Sequence, residues 1–112
     1  LDILQYIDYN KTEFYSYHGP SVKYLEKINV SDAESYLKIS FDLIHGPEGT
    51  YVYSLKHKYP IYLTSLFPKE LDYFTARFFA YPIISERLKN ALEENKVTGV
   101  WFKELGDKLI FQ

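Results

Sequence analysis

The chain contains no cysteine and no methionine, a single tryptophan and only five glycines. Without cysteine it has no disulfides, no zinc–thiolate centre and no cysteine nucleophile. That fits a reducing compartment, and we expect a cytoplasmic location. The glycines are scattered, so no phosphate-cradling loop is visible. No apolar run approaches the ~20 residues that a helix needs to cross a bilayer. The longest, from Phe78 to Ile84, is interrupted by Pro82, and we expect no membrane association. The opening LDILQYIDYN has two aspartates and no basic flank, unlike a secretory leader. Methionine is not normally trimmed before leucine, so we expect the chain to be the C-terminal part of a longer protein. An excess of either charge is also lacking. The formal net charge is −2, which argues against nucleic acid as a partner, since that usually requires a basic face.

Aromatic residues, by contrast, are abundant. Twelve tyrosines and eight phenylalanines stand in 112 residues, of which 46% are hydrophobic. This is enough for one domain with one core, and we expect a single α+β domain over 1–112. Codon bias towards Lys, Asn, Ile, Tyr and Phe is one source of such a composition. Selection for binding surfaces is another, because tyrosine offers large contact area and a polar tip at modest entropy cost.

Hydrophobic spacing predicts a mainly antiparallel sheet with one amphipathic helix over 85–96 and a C-terminal hairpin. FYSY at 14–17 has the aromatic content of a strand. Val22, Leu25 and Ile28 recur every third residue, which predicts one or two helical turns. Ser31 and Glu34 match a capping box, giving a helical turn over 31–35. Leu37, Ile39, Phe41 and Leu43 alternate with polar residues, which predicts a strand over 36–44. A second alternation places Tyr51, Tyr53 and Leu55 on one face and Val52, Ser54 and Lys56 on the other. Across the turn HGPEG these two runs make a predicted hairpin. A further strand is expected over 59–65, with Pro60 at an edge or at its start. The segment 67–72 reads as a loop or a single turn, and aromatic content slightly favours extended structure over 73–82.

In PIISERLKNALEENKVTGVWF, residues 82–102, Ser85 is a good N-cap and Glu86 lies where the helix dipole favours a carboxylate. Leu88, Ala91 and Leu92 form a narrow apolar stripe. Val100 to Leu105 and Lys108 to Phe111 then read as strands joined by Gly106-Asp107. That register sets Phe102 against Phe111 and Glu104 against Leu109. The core is accordingly expected to unite Leu88, Leu92, Val100, Phe102, Leu109 and Phe111. The same register points Trp101 away from that apolar face, either to pack beneath another element such as the helix, the favoured reading, or to sit at an interface.

The set Pro82, Ile83, Ile84, Ser85, Glu86, Arg87, Leu88, Lys89, Leu92, Thr98, Gly99, Val100 and Phe102 resembles the C-terminal end of a family of bacterial immunity proteins. These belong to polymorphic toxin systems. The resemblance implies a binder that neutralises a cognate toxin by occluding it. It supplies no catalytic set, and the tail then acts as scaffold.

Residue chemistry offers no stronger alternative. His18, His45 and His57 lack metal-ligand spacing. We expect no metal, no cofactor and no catalytic residue. His57 lies between Lys56 and Lys58 and reads as part of a solvated charge cluster with a lowered pKa. Asp42 and Glu48 flank the HGP turn and form the nearest approach to an acid–base pair, but solvated carboxylates beside a turn are far commoner. Tyr9, Tyr15, Tyr17 and Glu48 are the candidate partner contacts, because they lie outside the tail in segments without clear core periodicity. Two other readings stay open: an interaction or substrate-recognition domain of a longer protein, and a small enzyme with an unrecognised site.

Overall fold

A computed structural model describes residues 2–45 and 53–112. The chain is an α+β protein, and its described residues form two α-helices and three small sheets. The largest sheet has three antiparallel strands in the order β2-β1-β3, with β1 Phe14–His18, β2 Lys23–Ile28 and β3 Tyr53–His57. Phe14 and Ser16 are buried on its inner face, where Leu55 lies opposite Ser16. Helix α1, Ala33–Ile44, packs on that inner face, with the Tyr36 ring edge-on to Phe14 at 5.6 Å. The alternation expected for Tyr53, Ser54, Leu55 and Lys56 therefore holds.

Strand β4, Ile61–Leu63, runs parallel to β7, Leu109–Phe111. Ile61 and Leu63 are fully buried. On its other side β4 is held by the N-terminal segment, through Asp8 N–H to Tyr62 O at 2.8 Å and Thr64 N–H to Tyr6 O at 2.7 Å. A 3-10 turn over Ile3–Tyr6 buries Ile3 and Leu4 beside it. Two short strands, β5 Tyr73–Phe74 and β6 Ile83–Ile84, pair antiparallel. Helix α2, Glu86–Glu94, follows with Ser85 as its N-cap.

Three local expectations are corrected. The segment 36–44 is helical, not a strand. Asp32 Oδ1 accepts Ser35 N–H at 2.7 Å and Ser35 Oγ accepts Asp32 N–H at 3.1 Å, a reciprocal cap that starts a helix at Ala33. Ala33, Tyr36, Ile39 and Leu43 then form an inward stripe, while Leu37 and Phe41 face outward. One set of residues satisfied both periods, and the cap decided between them. The predicted hairpin with 50–56 is lost accordingly; of its second strand, 50–52 lie outside the described residues. The segment 23–28 is an edge strand rather than helical turns, and Val22 and Leu25 are exposed.

The C-terminal hairpin does not form. Gly106 does turn the chain, at φ +64, but into a 3-10 turn over Gly106–Lys108. Leu109 then pairs with Ile61 rather than Glu104. Burial beside fully buried Ile61 and Leu63 outweighs a local hairpin whose partner strand would gain little apolar cover. Of the six residues expected to form the core, only Leu109 is buried. Leu88 and Leu92 are half-buried, and Val100, Phe102 and Phe111 are exposed. The core instead unites Ile3, Leu4, Phe14, Tyr36, Ile61 and Leu63 with their neighbours.

Helix α2 buries no residue, and every position from 93 to 104 is exposed. The radius of gyration, 16.6 Å, exceeds the roughly 13 Å of a compact chain of this length. Trp101, expected to pack under the helix, is 96% exposed.

Candidate functional site

The outer face of the three-stranded sheet brings three of the twelve tyrosines, Tyr15, Tyr17 and Tyr24, into contact. Period-two alternation points Tyr15 and Tyr17 of β1 away from α1. Tyr24 of β2 lies opposite Tyr17 and makes edge-on contacts with both rings, at 5.8 Å to Tyr15 and 5.2 Å to Tyr17. A bulge between Tyr15 and Tyr17, where Glu26 N–H donates to Ser16 Oγ at 3.2 Å, lets one β2 tyrosine meet two β1 tyrosines. From β3 the Lys56 ammonium sits over the Tyr17 ring at 5.4 Å. Lys58, just past the strand end, sits over Tyr15 at 4.5 Å and Tyr24 at 5.4 Å. The quadrupole of each ring attracts the charge above it.

Glu13 closes one side of this face. It accepts Tyr15 O–H at 3.2 Å and pairs with Lys27 at 3.5 Å. Lys56 and Lys58 have no carboxylate partner among the described residues. The hydroxyls of Tyr17 and Tyr24 likewise make no hydrogen bond among the described residues, whereas that of Tyr15 does.

Beside the face lies a cleft of about 390 Å³ lined by Tyr24, Lys56, His57, Lys58, Tyr59 and Phe78. The half-buried His57 ring is edge-on to Tyr59 at 4.8 Å and to Phe78 at 4.7 Å. Its pKa falls to about 4, chiefly because burial disfavours the imidazolium and secondarily because Lys56 is near. The direction agrees with the sequence reading, but the main cause differs: His57 is a neutral aromatic-packed ring, not part of a solvated cluster.

Of the residues singled out in the sequence, Tyr15 and Tyr17 come together on this face. Tyr9 lies elsewhere: its ring stacks on Phe14 at 5.9 Å and its hydroxyl donates to Leu4 O at 2.6 Å. Burial raises its pKa. Glu48 lies outside the described residues. Asp42 is exposed on α1, and His45 caps that helix, stacked on Phe41 at 4.1 Å. Among the described residues no group of three or more His, Asp or Glu side chains converges to hold a metal. No described helix is long and apolar enough to cross a membrane.

Sequence reasoning missed Tyr24, Lys56 and Lys58 as members of this face. The alternation Lys56-His57-Lys58 was the available signal, since it sends both lysines to one side of an extended chain. Tyr24 was hidden by reading 22–28 as helical.

Comparison with protein-family models, with curated proteins and with solved structures finds no match to this chain.

Proposed function

We propose that the chain is a protein-binding module of the immunity type, which neutralises a cognate bacterial toxin in the cytoplasm by occluding it. The observation that supports binding is the lysine-topped tyrosine face. Tyrosines clustered on a sheet favour protein contact, because they offer large contact area and little side-chain entropy is lost on docking. The toxin assignment is supported by the resemblance of residues 82–102. In that reading the tail is scaffold: Ser85 caps α2, and Gly99, at φ +77, turns the chain where a side chain would be strained.

The test is co-expression with the protein encoded next to this chain, scored for rescue of growth and for co-purification. Tyr17→Ala and Tyr24→Ala should each cost about 2 kcal/mol or more of binding if they are hot spots. Wild-type affinity in both variants would move the contact away from this face.

A second reading is favoured by one specific observation. Val97, Val100, Trp101 and Phe102 are exposed in succession, more apolar surface than a short loop usually presents. In that reading the chain is an interaction domain of a longer protein, and this segment packs on a neighbouring part of it. Acrylamide quenching of Trp101 in the longest natural form of the protein separates the two: a shielded indole favours the second reading.

A further inference from the structure

We infer that the tyrosine–lysine face recognises an acidic, extended segment of a partner protein, with Lys56 and Lys58 reading carboxylates at alternate positions. The inference deepens the proposed function and rests on its protein-binding half, not on the toxin assignment.

Charge is the first argument. Lys23, Lys27, Lys56 and Lys58 lie on or beside the three strands, against Glu13 and Glu26. The sheet is thus locally positive in a chain of net charge −2. Lys27 is matched by Glu13, which leaves Lys23, Lys56 and Lys58 without a carboxylate partner among the described residues, and of these Lys56 and Lys58 are the two that sit over the tyrosine rings. Like charges two residues apart on one strand face repel. The rings beneath them offset that repulsion and restrict each long side chain, so that the ammonium groups are held ready.

Spacing is the second argument. Residues i and i+2 of a strand stand roughly 6.8 Å apart. A partner in extended conformation with Asp or Glu at alternate positions repeats that interval. Each carboxylate then meets one ammonium, and the hydroxyls of Tyr17 and Tyr24, which make no hydrogen bond among the described residues, are available to donate to the same oxygens.

Geometry also favours a protein segment over single-stranded nucleic acid. Stacked bases need open ring faces. Here the tyrosines meet edge to face, and the Tyr15, Tyr17 and Tyr24 rings each carry a lysine ammonium. Carboxylates need only the ammonium groups and the hydroxyl tips.

The test is an amide-resolved NMR titration of the intact chain with a short synthetic peptide alternating glutamate and threonine. A lysine–threonine peptide and a mixed-sequence single-stranded oligonucleotide serve as comparisons. We expect the glutamate peptide to shift Tyr15, Tyr17, Tyr24, Lys56 and Lys58 together, and the lysine peptide to shift none of them. Lys56→Gln with Lys58→Gln should weaken the response by roughly tenfold or more, and Lys56→Arg with Lys58→Arg should retain it. Lys58→Gln alone, with Lys56 left in place, should lose several-fold and decides the matter where the double variant fails to fold. An unchanged affinity in the glutamine variants, shifts mapping to another surface, or a tighter response to the oligonucleotide at these residues would overturn the inference. Peptide binding here without capture of the neighbouring gene's product would retain acidic-segment recognition and remove the toxin assignment.

Discussion

The Ser85 hydroxyl donates to Asp72 Oδ1 at 2.7 Å while it accepts the Leu88 N–H at 3.0 Å. One oxygen therefore caps α2 and ties the helix start to the β5 segment. Ser85 N–H to Asp72 O at 2.9 Å and Arg87 to both Asp72 oxygens, at 3.0 and 2.9 Å, complete the junction. Because α2 buries no residue, these polar contacts, with the half-buried Leu88 and Leu92, fix its position.

Ser85→Ala should accordingly cost about 0.5–2 kcal/mol in urea unfolding, as loss of an N-cap does. Partner binding should be unchanged. The Asp72 carboxyl is held below its ordinary pKa by the Ser85 hydrogen bond first and by Arg87 second. Its contribution is thus present above the ordinary carboxylate pKa and is lost as pH falls through the folded value. Lost binding with an intact fold would make the tail a contact site instead of scaffold.

The other end of α2 carries a strained residue. Lys96 has φ +53, Val97 N–H donates to Leu92 O at 3.1 Å, and Lys96 N–H donates to Glu93 O at 3.0 Å. This is the left-handed helix stop that glycine normally fills. Lys96→Gly removes the Cβ clash of that conformation at the cost of extra unfolded-state entropy, and a net gain of about 0.5–1 kcal/mol is expected. Thermal unfolding checks it; a lower melting temperature would mean that the lysine side chain contributes more than its backbone strain costs.

Local signals were legible in the sequence where one short-range device decides. Ser85 caps α2, and FYSY is in β1, because each rests on neighbouring residues alone. Tyr15 and Tyr17 were singled out only for lying outside the tail in a segment without core periodicity; that they share one face with Tyr24 comes from the pairing of β1 with β2. The errors share a cause. At 36–44 two periods fitted the same residues, and the deciding cap was Asp32 with Ser35 rather than Ser31 with Glu34. At the C-terminus the partner of Leu109 is Ile61, too distant in sequence for hairpin logic to find. The cation–aromatic pairing of Lys58 with Tyr15 and Tyr24 is of the same long-range kind.

His57 predicts a pH dependence. Its folded pKa, about 4, lies below the unfolded 6.5. The folded state therefore binds fewer protons between these values. The His57 contribution to stability should be flat above pH 6.5, fall as pH drops from 6.5 towards 4, and flatten again below. The full loss is up to about 3 kcal/mol, reduced by whatever solvent the cleft admits. His57→Gln should remove this component of the slope. A wild-type curve parallel to that of the variant through the window would mean that the imidazole charges freely in place.

The exposed arm and the buried sheet should respond oppositely to truncation. Ile61 is fully buried between the N-terminal segment and β7, so Ile61→Ala removes packed methylenes and leaves a cavity; a cost of about 2–5 kcal/mol is expected. Trp101 has a larger side chain but is 96% exposed. Its removal takes almost nothing out of the folded interior, and Trp101→Ala should stay within about 0.5 kcal/mol of the parent. Urea unfolding followed by far-UV circular dichroism measures both without relying on the tryptophan signal. A loss of several kcal/mol for Trp101→Ala would show that the indole packs on the domain in solution. The arm would then belong to the core as the hairpin register implied, and the second reading of the protein's function would lose its support.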